Sequence, residues 1–408
     1  MTEKEKSGFS ELAHRAMLMP QESTLEIPSK NKNLFIGIPK ETSYQENRIT
    51  LTPMSVGLLV NNGHEVYVET GAGNNANFFD TEYSEAGAKI VHDVREVYSA
   101  DIIMKVAPPS LNEINMMQPN QTLFSTIHHA SVSAEYLKAL TKKKITAVSY
   151  EFITDESGIY PVVQSMSEIV GTTVILIAAE YLSKVNNGKG AMLGGISGIA
   201  PTEIVIIGAG TVAEYAARTA LGLGAQVKVF DDSLSRLRRL QNNLGHRIFT
   251  SVIQPEVLKK ALRTADVAIG AIRNINGRCP CIVNEEMVKN MRAGSVIIDV
   301  SIDGGGCFET SEVTNHSNPV FKKYDVIHYC VPNIASRVSR TASYALTNIF
   351  TPILLDVGKH GGVESMLWEH KGVRHGVYTH KGNITNKHIA DIFNLPFKDL
   401  DLIMAARI

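Results

Sequence analysis

The stretch Ile204-Val-Ile-Ile-Gly208-Ala-Gly210-Thr-Val-Ala213 decides the fold of this chain. Its apolar residues predict a buried strand, which leads through a glycine turn into a helix. The first glycine permits the tight turn, and the second lets backbone amides approach a pyrophosphate at the N-terminus of the helix. Ala213 stands where a third glycine often lies and is small enough for close helix packing. The pattern predicts a dinucleotide-binding unit of the Rossmann type.

An acidic residue at the end of the next strand indicates which dinucleotide binds. The predicted strand at residues 226–230 is followed by Asp231, 23 positions after Gly208 (231 minus 208) and close to the roughly 20 residues that such units show. A carboxylate here accepts from a ribose 2′-hydroxyl and repels a 2′-phosphate, so NAD is favoured over NADP. Asp232 is the alternative acid. Arg236, about one helical turn further on, either contacts the adenosine or is a solvated helix residue.

Strand and helix signals alternate around the glycine turn. With helical intervals between the strands, they predict a doubly wound parallel sheet. The five strands are predicted at residues 203–207, 226–230, 267–271, 295–300 and 326–329. A long, largely apolar helix at residues 167–183 precedes this unit, and a helix at residues 340–356 follows it.

A second α/β unit precedes the first in the chain. Its strands are predicted at residues 34–38, 65–69, 101–106, 122–127 and 145–150. The C-terminal tail lacks a full set of strands, so we expect it to return to this lobe.

These patterns predict a two-domain α/β protein in which a Rossmann domain is inserted into a discontinuous substrate domain. The substrate domain comprises residues 1–161 and 340–408, with an N-terminal arm at residues 1–33, and the NAD-binding domain comprises residues 162–339. A cleft between two lobes is a usual place for a small ligand.

Composition excludes several other classes of protein. Of the 408 residues, 44% are hydrophobic and 20% are charged, and the net charge of −1 gives no bias toward nucleic acid. No uninterrupted apolar run approaches the roughly 18 residues of a membrane helix, and the N-terminus has no signal-peptide pattern. We therefore expect no nucleic-acid partner and no membrane partner.

The cysteines favour a reducing compartment. The four of them, Cys279, Cys281, Cys307 and Cys330, are too few and too C-terminal to staple a chain of this length, so a cytoplasmic location is expected. Cys279-Pro-Cys281 has no further Cys or His partners at zinc-site spacing, so we expect no metal site.

The first lobe carries the candidate catalytic groups. Arg48 precedes a helix predicted to be capped by Thr52, Lys105 ends one strand, and His128 and His129 end another. Arginine binds a carboxylate through two parallel hydrogen bonds, and histidine titrates near neutral pH. Each of these residues alone is more often structural or solvated than catalytic.

Together these residues resemble a known family, that of alanine dehydrogenases and pyridine nucleotide transhydrogenases, and most closely its soluble alanine dehydrogenases. The resemblance covers about residues 35–397. Besides the glycine turn, it rests on the blocks Gly37-Ile-Pro-Lys-Glu-Thr, Glu46-Asn-Arg48, Lys105-Val, Ile127-His128, Met166-Ser167-Glu168, Ile302-Asp303-Gly-Gly-Gly-Cys307-Phe-Glu309 and Tyr344-Ala-Leu-Thr-Asn348.

The resemblance implies a role for each matched residue. Arg48 and Lys105 bind the substrate carboxylate and carbonyl, His128 is the catalytic acid and base, and Asp303 assists beside the nicotinamide. Asp303 has an alternative as a turn residue ahead of three glycines.

Other matched residues serve the cofactor or support the site. Asn333 lies at the substrate and nicotinamide end, and Ser167 and Ile302 join the glycine turn in binding the nucleotide. Ser167 also has the sequence of an ordinary helix cap. Glu151 either supports the active-site histidine or is an exposed strand-end acid.

The implied activity is the reversible, NAD-dependent oxidative deamination of L-alanine to pyruvate and ammonia. Hydride transfer to NAD comes first and hydrolysis of the imine follows. The family also implies a homo-oligomer, typically a hexamer. The alternatives are a related amino-acid dehydrogenase, a nucleotide-binding subunit of a proton-translocating transhydrogenase, or a catalytically silent NAD sensor. His128 argues against the transhydrogenase subunit.

Overall fold

A computed structural model describes residues 31–127, 132–273 and 278–405. Two largely parallel sheets with surrounding helices form two lobes, which confirms the predicted α/β class and the insertion of one lobe within the other. The elements of the first lobe before the insertion are β1 (Phe35–Ile38), α1 (Pro53–Asn61), β2 (Glu65–Glu69), α2 (Asp80–Glu85), β3 (Lys89–Val91), α3 (Val94–Val97), β4 (Ile102–Met104), α4 (Leu111–Met116), β5 (Thr122–Ser125), α5 (Ala134–Lys142) and β6 (Thr146–Ser149).

The inserted lobe follows a long helix. Its elements are α6 (Pro161–Leu182), β7 (Glu203–Ile207), α7 (Thr211–Gly222), β8 (Gln226–Phe230), α8 (Leu234–Leu244), β9 (Phe249–Ser251), α9 (Pro255–Thr264), β10 (Val267–Gly270), α10 (Glu285–Lys289), β11 (Val296–Asp299), β12 (Val320–Lys323) and β13 (Val326–Tyr329). The tail supplies α11 (Ser339–Lys359), α12 (Val363–Glu369), α13 (Lys371–Arg374), β14 (Val377–His380), β15 (Asn383–Ile384), α14 (Lys387–Phe393) and α15 (Leu400–Ala405).

Both sheets contain the same parallel strand order. The first runs β15-β14-β6-β5-β4-β1-β2-β3, and the second runs β12-β13-β11-β10-β7-β8-β9. Each has a switch point where the order reverses, between β1 and β4 in the first lobe and between β7 and β10 in the second. Open α/β sheets bind ligands beyond the carboxyl ends of the strands at such a point. The fold therefore offers one switch point from each lobe.

The sequence predicts most of these strands but not all of them. All five strands predicted in the inserted lobe are present, and β9 and β12 are additional. The tail returns to the first sheet as expected, because β14 pairs antiparallel with β6. The strands that were not predicted are short. Four of them, β3, β9, β12 and β14, have three or four residues each, and β15 has two, so they lack a long apolar pattern.

The long helix α6 begins at Pro161, and not at residue 167 as predicted. Proline is well suited to the first turn because its fixed φ matches the helix and it lacks a hydrogen-bond donor there. Ser167 therefore lies inside the helix and does not cap it. Gly171 lets α6 approach α7 closely, since a β-carbon on it would lie 2.5 Å from the carbonyl oxygen of Val212.

Two helices belong to the cores of both lobes. In α6, Val162 packs in the core of the first lobe and Val174 in that of the second. In α11, Ala342 packs in the second core and Leu346 in the first. The predicted domain boundaries at residues 161/162 and 339/340 fall at the starts of these two helices, and their exact placement remains a prediction.

By length and composition alone, α6 could cross a membrane. One such helix is weak evidence for a span, because a core helix of a soluble protein passes the same test. Here it packs against α7 and α11 and contains the acidic residues Glu168 and Glu180.

Candidate active site

A cleft of about 830 Å³ lies between the two lobes. Its wall contains four of the residues predicted for the site, namely Arg48, Ser167, Asp303 and Asn333. Four further charged side chains line it, namely Glu46, Glu151, Arg273 and Arg278. The cleft therefore combines cations with carboxylates beside the two switch points.

Residues 45–52, which include Arg48, run along the N-terminal part of α11. The backbone amides of Asn47, Ile49 and Thr52 donate to hydroxyl oxygens at 2.8, 2.9 and 3.1 Å. The three acceptors are Ser336, Ser343 and Thr347. These bonds satisfy the amides of a segment that is neither helix nor strand and so fix its path. Thr52 precedes α1 as predicted, but its side chain makes no capping hydrogen bond.

Both carboxylate oxygens of Glu46 accept hydrogen bonds from the Arg48 guanidinium. Arg48 Nε donates to Glu46 Oε1 at 2.8 Å, and Arg48 Nη2 donates to Oε2 at 2.6 Å. Burial alone would raise the pKa of Glu46, but the charge and hydrogen bonds of Arg48 more than offset this and lower it. Asn333 Nδ2 donates to the same carboxylate at 2.9 Å. This last bond connects the inserted lobe to the first lobe across the cleft.

Asn333 adopts a left-handed conformation, with φ of 56°. Asparagine tolerates this region better than most residues. The conformation places the residue just before a 3₁₀ turn that leads into α11.

Lys105 does not lie on the cleft wall. It is fully buried and directly follows β4. Its ammonium group donates to Glu113 Oε1 at 3.0 Å and to the carbonyl of Lys40 at 3.2 Å, and it pairs with Glu41 Oε2 at 3.4 Å. The hydrogen bonds use two of the three donors of the ammonium group, and Glu41 lies beside it as an ion-pair partner. The predicted contact of Lys105 with the substrate would have to reach this buried group.

Asp303 and Glu151 form an acidic pair on the cleft wall. Asp303 lies in the 3₁₀ turn that follows β11, where solvent in the cleft reaches its side chain. Desolvation by the surrounding protein and the negative charge of Glu151 raise the pKa of Asp303 to about 6, although Arg48 opposes the shift. Burial also raises the pKa of Glu151, against the opposing charges of Arg273 and Arg48. Both carboxyl groups can therefore hold a proton nearer to neutral pH than usual.

The glycine turn has the geometry that a bound pyrophosphate needs. Gly208 has φ of +115°, and a β-carbon on it would lie 2.4 Å from the carbonyl oxygen of Ala271, so a side chain there is excluded. Gly210 directly precedes α7, and a β-carbon on it would meet nothing within 4 Å. The backbone is thus tight at the first glycine and open at the second. These residues fit a dinucleotide at the N-terminus of α7.

Asp231 directly follows β8 and is buried. Its carboxylate accepts from the backbone amides of Ala209 and Ser233, each at 2.7 Å. Arg236 pairs with it, with Nη2 2.7 Å from Asp231 Oδ1. The structure therefore places Arg236 beside the predicted ribose site and not on a fully solvated helix face.

Ile302 is buried and is not on the cleft wall, although its neighbours Ser301 and Asp303 are. His128 and its neighbour His129 lie outside the described residues. Thr126, two positions before His128, lines the cleft.

The cleft wall also contains residues for which the sequence predicted no role, among them Glu46, Arg273 and Met166. Arg273 follows β10 at its carboxyl end, so the rule that ligands gather at strand ends could have found it. Glu46 had the weaker signal of lying two positions before Arg48. Met166 had no signal apart from its position next to Ser167.

These features define a two-lobed dinucleotide-binding protein of the dehydrogenase class. The comparisons with known proteins then identify its family. Residues 37–170 match the family model "Alanine dehydrogenase/PNT, N-terminal domain", and residues 174–387 match "Alanine dehydrogenase/PNT, C-terminal domain". The chain belongs to the alanine dehydrogenase/PNT family, and it is an oxidoreductase.

Individual relatives agree with this assignment. The chain is 39% identical to an alanine dehydrogenase of Methanococcus maripaludis over 366 residues, which are 89% of this chain and 98% of the relative. A solved L-alanine dehydrogenase has a TM-score of 0.83 at 35% identity, covering 88% of this chain and 99% of that one. A transhydrogenase from Sinorhizobium meliloti has a TM-score of 0.74 at 24% identity, covering 86% and 99%, which shows a shared fold alone.

Replacing Glu46 by glutamine tests the ion pair that holds Arg48. We expect the free energy of unfolding at pH 7 to fall by about 2–4 kcal/mol, because a buried guanidinium loses its charged partner. Since folding lowers the pKa of Glu46, its stabilisation is present above its ordinary pKa of 4.5 and is lost as the pH falls through the lower folded value. The difference between wild type and Glu46→Gln should therefore shrink in acid.

Urea unfolding from pH 3 to 7 measures this difference. Glu286→Gln is the matched control, because Glu286 makes a single 2.7 Å pair with Lys259 on the surface, and it should leave the stability unchanged. Equal, small effects of the two substitutions would show that the Glu46–Arg48 pair does not stabilise the fold.

Proposed function

We propose that this protein catalyses the reversible, NAD-dependent oxidative deamination of L-alanine to pyruvate and ammonia. One observation carries the proposal: the Arg48 guanidinium is fixed on the wall of a cleft that also holds Asp303 and lies beside the glycine turn. An amino-acid dehydrogenase needs a cation for the substrate carboxylate, proton-transfer groups and a dinucleotide, and these must converge at one place.

NAD is the proposed cofactor. Gly208, Gly210 and the N-terminus of α7 would hold its pyrophosphate, and Asp231 would bind the adenosine ribose. When bound, NAD supplies the acceptor for the hydride that leaves the α-carbon of alanine. Ser167 and Asn333, which both line the cleft, are the residues we propose to orient the nicotinamide end.

Arg48 is the proposed anchor for the substrate carboxylate. Glu46 accepts from its Nε and Nη2, and among the described residues its Nη1 donates to the sulfur of Met166 alone, at 3.6 Å. A thioether is a weak acceptor, so a carboxylate would displace it with a gain in hydrogen-bond strength. Because Glu46 holds the guanidinium and Asn333 holds the Glu46 carboxylate, the direction of the guanidinium is set before the substrate arrives.

The remaining chemistry is proton transfer. Loss of the hydride and of one proton from the amino group converts alanine to an imine, water then adds to the imine carbon, and ammonia leaves. We propose His128 as the group that accepts the proton from water and returns one to the leaving nitrogen. Asp303, whose pKa is raised to about 6, is the proposed acid that orients the water or the amine.

The same proposal covers the protein's assembly and location. We propose a cytoplasmic homo-oligomer, in line with the hexamers that the family resemblance implies. Light scattering coupled to size-exclusion chromatography would give the subunit number directly, and a mass of one chain would contradict the oligomer.

The direct test is NADH formation at 340 nm with L-alanine, compared with L-serine and glycine and with NADP in place of NAD. We expect L-alanine with NAD to be the best pair. His128→Ala should lower kcat by about 10²–10⁴-fold, because one positioned acid and base contributes an acceleration of that size. His92→Ala, at an exposed histidine of the same lobe, is the control and should retain full activity. If wild-type protein reduces NAD with none of these substrates, the proposed function is wrong.

Asp231→Ser tests the choice of NAD. Removing the carboxylate removes the repulsion of a 2′-phosphate and leaves Arg236 available to bind it, so the ratio of kcat/KM for NADP to that for NAD should rise at least about tenfold, or roughly 1.4 kcal/mol. Asp232→Ser, one position along and exposed, should keep the wild-type ratio. An unchanged ratio in Asp231→Ser would exclude Asp231 as the ribose-binding acid.

A further inference from the structure

Two histidines and two carboxylates meet on the surface of the first lobe, away from the cleft. Asp356 and His360 are one turn apart at the end of α11, and Glu369 and His370 follow each other at the end of α12. Asp356, His360 and His370 each offer a ligand atom, and these atoms lie within 4.8 Å of one another.

The contacts within this cluster are short. His370 Nε2 lies 2.6 Å from Asp356 Oδ2, and His360 Nε2 lies 2.7 Å from Glu369 Oε2. His360 Nδ1 lies 2.8 Å from the backbone carbonyl oxygen of Asp356. A proton on Nδ1 donated to that carbonyl leaves Nε2 as a lone-pair donor that faces the cluster. This is the usual way in which proteins orient a metal-binding histidine.

The ligand set and spacing suit a divalent transition metal. Zinc takes nitrogen and carboxylate ligands at about 2.0–2.2 Å, usually four of them, which places the ligand atoms on the order of 3.3 Å apart in a tetrahedron. The two closest pairs are 2.6 and 2.7 Å apart, and the ligand atoms of Asp356, His360 and His370 all lie within 4.8 Å of one another, which brackets that value.

The backbone holds these side chains on rigid elements. Gly361 and Gly362 have φ of +82° and +125° and form the short connection between α11 and α12. Val357 anchors the end of α11 in the core of the first lobe, and Met366 and Leu367 anchor α12 in the same core. Asp356 and Glu369 lie in these packed helices, and His360 and His370 directly follow them, so the ligands keep their positions better than ligands on loops would.

Two carboxylates at the cluster favour a cation. Asp356 lies 2.6 Å from His370 Nε2 and Glu369 lies 2.7 Å from His360 Nε2, so a bound ion would meet negative charge at the place where the ligand atoms converge.

We propose that Asp356, His360 and His370, with Glu369 as the fourth ligand, form a binding site for a divalent transition-metal ion of the Zn²⁺ class. The ion would fasten the end of α11 to α12 and so stabilise the first lobe. Helix α11 has 21 residues, which separates the site from the end of the helix beside the cleft by roughly 30 Å. The site is therefore structural. The expectation of no metal site considered only the spacing of cysteines, and this ligand set contains none.

Calorimetric titration of the tag-free, EDTA-treated full chain with Zn²⁺ at pH 7.5 tests the proposal. All proteins carry Cys281→Ser, because Cys281 is an exposed thiol that could bind zinc itself. We expect one Zn²⁺ per chain, with an affinity that falls at least about tenfold in His360→Ala and in His370→Ala. His92→Ala removes an exposed histidine elsewhere in the lobe and should bind like the parent protein.

Thermal unfolding gives a second readout. Zn²⁺ should raise the Tm of the parent and of His92→Ala, and it should raise the Tm of the two cluster variants less, since an ion that binds only the folded state stabilises it according to its affinity. Asp356→Asn keeps the side-chain volume and must show the same loss of zinc binding, which keeps the test decisive if a histidine variant fails to fold. A parent protein without a stoichiometric site, or cluster variants that bind Zn²⁺ like the parent, would overturn the proposal.

Discussion

The bidentate pair between Glu46 and Arg48 is the interaction on which the cleft depends. Its partners lie two positions apart in a segment that has no regular secondary structure, so their geometry cannot come from a helix or a sheet. It comes from hydroxyl groups in α11 and just before it. These accept hydrogen bonds from the backbone amides of Asn47, Ile49 and Thr52. Asn333 then ties the same carboxylate to the inserted lobe. The buried carboxylate of Glu46 thus orients the Arg48 guanidinium and also links the first lobe to the inserted lobe.

The two sheets determine where the cleft around this ion pair lies. Each has the strand order of a doubly wound sheet, and each contributes groups at its own switch point. The inserted lobe supplies the glycine turn after β7 and Arg273 after β10. In the first lobe, Ala107 follows β4 and lines the cleft, whereas Lys105 is buried away from the cleft wall. Because α6 and α11 each pack in both hydrophobic cores, the two lobes have these two helices in common. A family of dehydrogenases can use such an arrangement to present a substrate from one lobe to a dinucleotide on the other.

Local signals in the sequence predict much of the fold and part of the site. The glycine turn, the strand before it and Asp231 are recognisable because short-range backbone constraints determine them. Contacts between distant segments are different: no periodicity indicates that Asn333 meets Glu46, 287 positions earlier. Lys105 shows the same limit, since its place after β4 is predictable but its enclosure by Glu41 and Glu113 depends on how other segments fold around it. The start of α6 was misplaced because Gln164 and Ser165 interrupt the apolar pattern after Val162 and Val163.

The most direct test of the account is to follow the hydrogen itself. Incubation with NAD and L-alanine deuterated at the α-carbon, followed by NMR and mass spectrometry of the products, reports where that atom goes. The account predicts pyruvate and ammonia in equal amounts, with one deuterium on the nicotinamide ring of each NADH formed. Unlabelled NADH, or pyruvate formed without NADH, would contradict the claim that the cleft brings alanine and NAD together for hydride transfer.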